Sequence, residues 1–280
     1  MDYQWYPGHM TKARRMMEEN IGLVDLVIEL TDARIPMSSR NPDIDKLSAN
    51  KARILVMTKA DLADPARTAE FQKFFEEKGW MVVAVDARTR KSNDKIRAYV
   101  EKACAAKRER DKRRGIIGRP LRAMVVGIPN VGKSTFINSF AGKASAKTGN
   151  KPGVTRGKQW INIGGGIEML DTPGLLWPKF EDKEVGEHLA FTGAVKDDIL
   201  DVETLGARLM RLLASEYPEA LSGRYKIETD TEDGFALLER AAKKRGFIVS
   251  GGEIDIERMS RVLLDEFRGG KLGRLTLETP

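Results

Sequence analysis

Cysteine and histidine are nearly absent from this 280-residue chain: Cys104 is the single cysteine, and His9 and His188 are the only histidines. One cysteine excludes an intrachain disulfide and a thiolate metal cage, and it suits a reducing compartment. Long apolar runs are missing too. The longest, such as residues 24–30 and 123–128, are too short to cross a bilayer as helices. The N-terminus, MDYQWYPGHMTKARR, is polar and aromatic where a secretory signal carries an apolar core. Internal repeats and low-complexity tracts are lacking. The expectation is a cytoplasmic protein that meets no membrane.

What is there is the composition of a globular protein, with 41% hydrophobic and 32% charged residues. The length suits one large domain or two modest ones, each able to bury a core. A net charge of +7 hints at a polyanionic partner.

The first half alternates short β-branched runs with helical stretches. Residues 24–30 (VDLVIEL), 53–57 (RILVM) and 80–85 (WMVVAV) read as strands, with a helix between the last two that starts near Pro65 and ends at Gly79. Continuous apolar strands separated by helices imply an α/β fold, a parallel-dominated sheet with helices on both faces. A basic stretch, residues 107–114, then leads into GIIGRP, and residues 107–120 read as a linker. A solvated helix end and an RNA contact are equally open readings of its charges. A new strand begins at Leu121. Two further strands, 159–163 and 167–170, flank Gly164-Gly165-Gly166, a hairpin signal. From about residue 179 the strand signal fades. Leu205, Leu209, Leu212 and Leu213, and again Met259, Val262, Leu263 and Phe267, mark one apolar face of a helix each. The domains expected are 1–178, with halves 1–106 and 121–178 about the linker, and an all-helical domain at 179–280.

The sharpest chemical signal is Gly127-Ile128-Pro129-Asn130-Val131-Gly132-Lys133-Ser134, a G-x-x-x-x-G-K-S motif that follows one predicted strand and, with Thr135, opens a predicted helix. Its glycines let backbone N–H groups close around phosphate oxygens, and the helix N-terminus adds a favourable field. Lys133 would neutralise the β- and γ-phosphates, and the Ser134 hydroxyl would bind Mg²⁺. Downstream, Asp171-Thr172-Pro173-Gly174 ends a strand. Asp171 would hold Mg²⁺ through water, and the Gly174 N–H would meet the γ-phosphate. Between the two, Thr155 offers a hydroxyl to the same ion from a loop that the γ-phosphate would order and hydrolysis release.

The base-reading element precedes these motifs. Thr58-Lys59-Ala60-Asp61 ends an early strand and resembles the N-K-x-D guanine motif. The Asp61 carboxylate accepts two hydrogen bonds from the N1–H and exocyclic amine of guanine, a pattern adenine does not supply. The Lys59 stem can lie over the base, and Thr58 in place of Asn gives up one contact to it. After the next strand, Asp86-Ala87 stands where a backbone N–H, that of Ala87, would meet the guanine oxygen. The phosphate and base motifs thus come in circularly permuted order, and rotating them restores an ordinary GTPase sheet. GTP and GDP are the expected ligands.

This order, with Trp5-Tyr6-Pro7-Gly8-His9-Met10, Asp32-Ala33-Arg34-Ile35-Pro36 and the ending Phe267-Arg268-Gly269-Gly270-Lys271-Leu272-Gly273-Arg274, closely resembles the ribosome biogenesis GTPase A family over essentially the whole chain. The resemblance implies a factor for late assembly of the large ribosomal subunit. It also implies a helical domain that binds rRNA and GTPase activity raised by the ribosomal particle; off the ribosome a monomer is expected. It makes Asp32 and Arg34 functional candidates, whereas an ion pair at a strand end is the plainer reading.

Leu175 and Leu176 follow Gly174 where many GTPases place a Gln that orients the attacking water. Intrinsic hydrolysis is therefore expected near the ~10⁻⁴ s⁻¹ scale of unassisted switches. His9, expected in a segment before the first helix, is one candidate for the missing group, with Pro7-Gly8-His9 simply starting a helix or touching RNA as the alternative. Asn130 is another, because in related translation GTPases an Asn here resembles a K⁺ ligand, against a plain loop asparagine. His188 reads as structural. Two other functions fit less of the sequence: a GTP-binding RNA scaffold without turnover, and a P-loop nucleotidase acting on a small molecule. Because the chain runs from Gly174 directly into the helical half, nucleotide state is expected to change the interdomain angle or the RNA-binding surface. Small-angle scattering and RNA affinity that differ between GDP and GTP-analogue states are the expected outcome.

Overall fold

The computed structural model describes residues 8–89, 93–141, 159–177, 180, 182–195 and 201–280. Six strands form one sheet: β1 (Leu26–Asp32), β2 (Ala52–Thr58), β3 (Met81–Ala84), β4 (Leu121–Gly127), β5 (Gln159–Asn162) and β6 (Ile167–Asp171). Their order is β3-β2-β1-β4-β6-β5, all parallel except the β5–β6 hairpin. Every residue of β1 is buried, because strands flank it on both sides and helices cover both faces. The strand that feeds the phosphate motif, β4, therefore pairs with β1 from the first half and β6 from the second. The expected α/β sheet with permuted motifs is the one observed.

Around the sheet lie α1 (Gly8–Asn20), α2 (Pro42–Leu47), α3 (Pro65–Glu77), α4 (Asn93–Ala103), α5 (Ala105–Arg113) and α6 (Lys133–Ala141). Local chemistry sets their limits. Pro65 opens α3 behind Asp64, whose carboxylate accepts from the Ala66 and Arg67 N–H groups, and Gly79 in the left-handed region follows its end. Phe71 and Phe75 of α3 are fully buried. The stretch expected to be a linker from residue 107 is instead helical to Arg113. Arg113 pairs with Glu109 one turn back, Lys107 with Asp25 and Asp111, and Arg108 with Glu101, and no helix breaker occurs before Gly115.

The second half continues as α7 (Lys183–Phe191), α8 (Val202–Glu216), α9 (Pro218–Tyr225), α10 (Gly234–Arg245) and α11 (Ile256–Arg268). Asp182, Asp201, Asp233 and Asp255 cap four of these helices with their side chains. Leu205, Leu209 and Leu213 of α8 and Met259, Leu263 and Phe267 of α11 are buried, as their spacing predicts; Leu212 and Val262 sit at the margin. Among the described residues no helix is long and apolar enough to span a membrane. After α11 the chain does not stay with the helices. It runs back along the first half, where Leu275 N–H donates to the Leu62 carbonyl (3.0 Å) and Leu277 N–H to that of Arg34 (2.8 Å).

The helical half is pinned by one carboxylate. Glu266 of α11 accepts from the Arg224 guanidinium, from the Tyr225 hydroxyl (2.8 Å) and from Arg245 (3.3 Å). Those bonds, Arg224 first, hold its carboxyl down at about 2 against an ordinary 4.5. Because the folded-state value is depressed, the stabilisation is complete above pH 4.5 and disappears as pH falls toward 2. Glu266→Gln is expected to cost about 2 kcal/mol at neutral pH and to flatten the stability profile between those two limits, read by denaturant unfolding across pH.

Candidate nucleotide site

The phosphate loop begins where β4 ends. An added Cβ at Gly127 would lie 2.7 Å from the Leu30 carbonyl oxygen, so only glycine lets the strand end this close to β1. Asn130 (φ 57°) and Gly132 (φ 98°) then turn the backbone through left-handed conformations into α6. Such a turn at a helix N-terminus aims successive N–H groups at an anion. Lys133 folds over this loop, its ammonium 3.0 Å from the Ile128 carbonyl and 3.3 Å from that of Gly127. Burial lowers its pKa to about 8, against the opposing pull of Asp171. Ser134 and Asp171 converge, hydroxyl to carboxylate, at 3.4 Å. One hydroxyl and one carboxylate beside a phosphate cradle is a donor set that fits Mg²⁺, which completes its shell with water and phosphate oxygens. Among the described residues no cluster of three His, Cys, Asp or Glu side chains suggests any other metal site. Gly174 presses on the loop from the far side: a Cβ there would meet the Pro129 backbone at 2.7 Å. Leu175 N–H donates to the Gly127 carbonyl (3.1 Å), and the Leu175 carbonyl accepts from Asn41 Nδ2 (3.1 Å). Leu175 and Leu176 are fully buried, so neither side chain faces a phosphate-bound water.

The base loop stands beside this cradle. Thr58 is buried, and its hydroxyl lies within hydrogen-bond reach of the Val131 carbonyl (2.6 Å) and the Thr31 carbonyl (2.9 Å). The substitution of Thr for Asn thus ties the base loop to the phosphate loop. Lys59 takes a left-handed backbone (φ 56°) and sets its ammonium 2.9 Å from Asp32 Oδ2. Asp32 also accepts from Arg34 at both oxygens (2.9 and 2.8 Å), and Arg34 Nη1 reaches the Phe267 carbonyl (3.3 Å) and the Arg268 carbonyl (3.4 Å) at the end of α11. Burial alone would raise the Asp32 pKa; Arg34 and Lys59 together hold it far below the carboxylate range. Burial lowers the Lys59 pKa, with Asp32 opposing. The plain ion-pair reading of Asp32 and Arg34 therefore holds, yet the pair also orients a base-loop residue.

Asp61 sits with Asp86 around the guanidinium of Arg88, which bonds both carboxylates. These bonds, that of the side chain first, lower the Asp86 pKa. Ala87 is nearly buried, and Ala60 N–H donates to the Val85 carbonyl (3.1 Å), which joins the two base segments. Thr135 lies half-buried on α6. Asn130 Nδ2 donates to the Gly193 carbonyl (2.6 Å), beyond α7. His188 is buried between Ser38 and Glu278, 3.1 Å from each, in keeping with a structural role. His9 falls in the first turn of α1 and not before it; its side chain lies outside the described residues, as does all of Thr155.

The structure thus brings Thr58, Lys59, Asp61, Asp86, Ala87, Asn130, Val131, Gly132, Lys133, Ser134, Asp171 and Gly174 together at the C-terminal ends of the parallel strands. Asn41 and Arg88 were not foreseen, and Arg274 belongs to the family-like ending without a role assigned to it there. Arg88 directly follows Asp86-Ala87, and a cation next to two carboxylates was the available signal. Arg274 donates to the Ala60 and Ala63 carbonyls from more than 200 positions away, and no local pattern announces it.

Residues 122–214 match the family model described as 50S ribosome-binding GTPase. Among curated proteins, the chain is 47% identical to a ribosome biogenesis GTPase A of Bacillus cereus over all of this chain and 95% of that protein. It is 31% identical to that of Thermotoga maritima, over 99% and 94% of the two. A solved GDP-bound YlqF superposes with a TM-score of 0.71 at 26% identity, covering 95% of this chain and 99% of that one. A GNP-bound YlqF from T. maritima gives 0.67 at 27% identity, covering 96% and 98%. With a phosphate cradle, a base loop and full-length relatives in agreement, the chain belongs to the ribosome biogenesis GTPase A family and is a GTP-binding, GTP-hydrolysing protein.

Proposed function

We propose that this GTPase is a switch that binds rRNA of the assembling large ribosomal subunit and promotes a late step of its maturation in the cytoplasm. The observation that carries the reading is the direct connection between the phosphate loop and the helical half, from Asn130 Nδ2 to the Gly193 carbonyl. Residues 1–178 form the nucleotide domain, and residues 179–280, with a net basic surface on α10, form the RNA-binding one. Off the ribosome the protein is a monomer.

Within the site, Lys133 and the loop N–H groups of Val131, Gly132, Ser134 and Thr135 hold the phosphates. Ser134, Thr155 and, through water, Asp171 are the Mg²⁺ ligands, and the ion supplies charge neutralisation when bound. Asp61, Lys59, Asp86 and Ala87 read the base, with Thr58 bracing their loop, and the Gly174 N–H senses the γ-phosphate. With Leu175 buried, the water-orienting group comes from His9, from K⁺ held by the Asn130 oxygen, or from the ribosomal particle. Hydrolysis is accordingly slow until the partner docks.

Two outcomes test these assignments. Turnover measured for GTP and ATP, with and without large subunits, in KCl and NaCl, is expected to be slow, GTP-only and raised sharply by subunits. A K⁺ requirement assigns the cation to Asn130, whereas turnover indifferent to subunits removes the assembly role. Asp61→Asn replaces an acceptor pair by a donor and is expected to lower GTP affinity by about 10²-fold or more while improving that for a xanthine nucleotide. Equal loss for both nucleotides removes Asp61 from base reading.

A further inference from the structure

The loop that carries Asp61 is held from outside the nucleotide domain. After α11 the chain turns at Gly270 (φ 71°), where a side chain would collide with Leu62. It then lies along residues 60–67. Arg274 donates from Nη2 to the Ala60 carbonyl and from Nε to the Ala63 carbonyl, both at 2.9 Å. Between them Leu275 N–H takes the Leu62 carbonyl (3.0 Å). Asp64 N–H donates to the Thr276 hydroxyl (3.1 Å), and Arg67 Nη1 donates to the Thr276 carbonyl (2.8 Å). The carbonyls on both sides of Asp61 are thus tied to one strap, which Tyr217, between α8 and α9, anchors through the Thr276 carbonyl (2.8 Å).

We propose that Arg274 is a positioning residue for guanine recognition: its guanidinium, spanning the Ala60 and Ala63 carbonyls, fixes the loop that presents the Asp61 carboxylate to the base. The assignment rests on the reading of Asp61 as the base acceptor. A bidentate acceptor must be held within about half an ångström of its productive geometry, and a rigid, charged fork on two carbonyls of the six-residue loop between β2 and α3 does this. Among the described residues the Asp61 carboxylate pairs with the largely exposed Arg88, and the Ala60 N–H holds the loop to the Val85 carbonyl, so the strap supplies the bonds on the loop's carbonyl side. Lys59, one residue before the bridged segment, takes a left-handed backbone, so the turn is tight and a shift at Ala60 passes directly to Asp61. The residue belongs to the segment that follows the helical half. Anything that docks there and displaces the strap therefore loosens guanine binding without touching the phosphate loop.

Arg274 is exposed, so Arg274→Ala opens no cavity, and Leu272, Leu275 and Leu277 keep the strap packed. The test compares Arg274→Ala, Arg274→Lys and the unaltered full chain for GTP and ITP affinity, kcat, KM and melting temperature. ITP lacks the 2-amino group and so forfeits one of the two bonds to Asp61. The alanine variant is expected to weaken GTP by about tenfold and to narrow the GTP-to-ITP ratio, raising KM with kcat and melting temperature unchanged. The lysine variant should fall between, because one ammonium does not bridge two carbonyls. A GTP affinity and a GTP-to-ITP ratio both within about twofold of the unaltered chain overturn the assignment. So does an equal loss for both nucleotides that tracks a lowered melting temperature, the mark of a structural role alone. If the unaltered chain binds ITP as tightly as GTP, Asp61 is not the reader, and the failure lies with that reading and not with the strap.

Discussion

The Asp32 carboxylate is the constraint on which the arrangement of the base site depends. It lies at the end of the central strand β1, buried, and takes Arg34 at both oxygens and Lys59 at one. Taking an anion and two cations out of water is costly, and losing one member of such a cluster typically costs about 3–5 kcal/mol because the others remain buried. The cluster therefore forces three segments to meet: the strand end, the base loop through Lys59, and the end of α11 through Arg34 on the Phe267 and Arg268 carbonyls. Stacking of the Arg34 guanidinium on the Phe267 ring, 5.1 Å to its centroid, adds to the same junction. The helical half is thereby joined to the sheet by charge and backbone as well as by apolar packing.

A second circuit closes at the same place. Arg268 donates to the Ala190 carbonyl (2.8 Å) and the Phe191 carbonyl (3.0 Å) at the end of α7, two residues before the Gly193 whose carbonyl accepts from Asn130. The Phe267–Arg268 step is thus connected to the phosphate loop on one side and to Lys59 on the other. This step therefore sits where hydrogen bonds leading to both loops meet the end of α11.

Much of the fold was legible because it is made locally. Parallel strands buried on both faces must be nearly continuous in apolar residues, so β1, β2 and β4 stand out within a residue or two. Gly164–Gly166 likewise had to be a turn between β5 and β6, and the phosphate motif is a single run whose chemistry dictates its glycines. The misread segment was α5. Its charges suggested a linker, but (i, i+4) ion pairs and a contact to Asp25 make a charged segment helical, and the breakers Gly115 and Gly118 come only afterwards. What sequence could not yield were bonds between distant positions. Arg34 to Phe267 spans 233 residues and Arg274 to Ala60 spans 214, and no periodicity encodes either.

The permutation gives those distant bonds their sense. Within the sheet the base half (β1–β3) meets the phosphate half (β4–β6) at the β1–β4 pairing. The Thr58 hydroxyl on the Val131 carbonyl is one lateral tie across that seam. The returning C-terminal strap is the other kind of tie, since Glu278 accepts from the Met37 and Ser38 N–H groups and Leu277 reaches Arg34. The strap holds the base half from behind while α7 and Gly193 hold the phosphate half. Both nucleotide-reading loops are therefore referred to the helical half, and the site's geometry depends on that half staying seated.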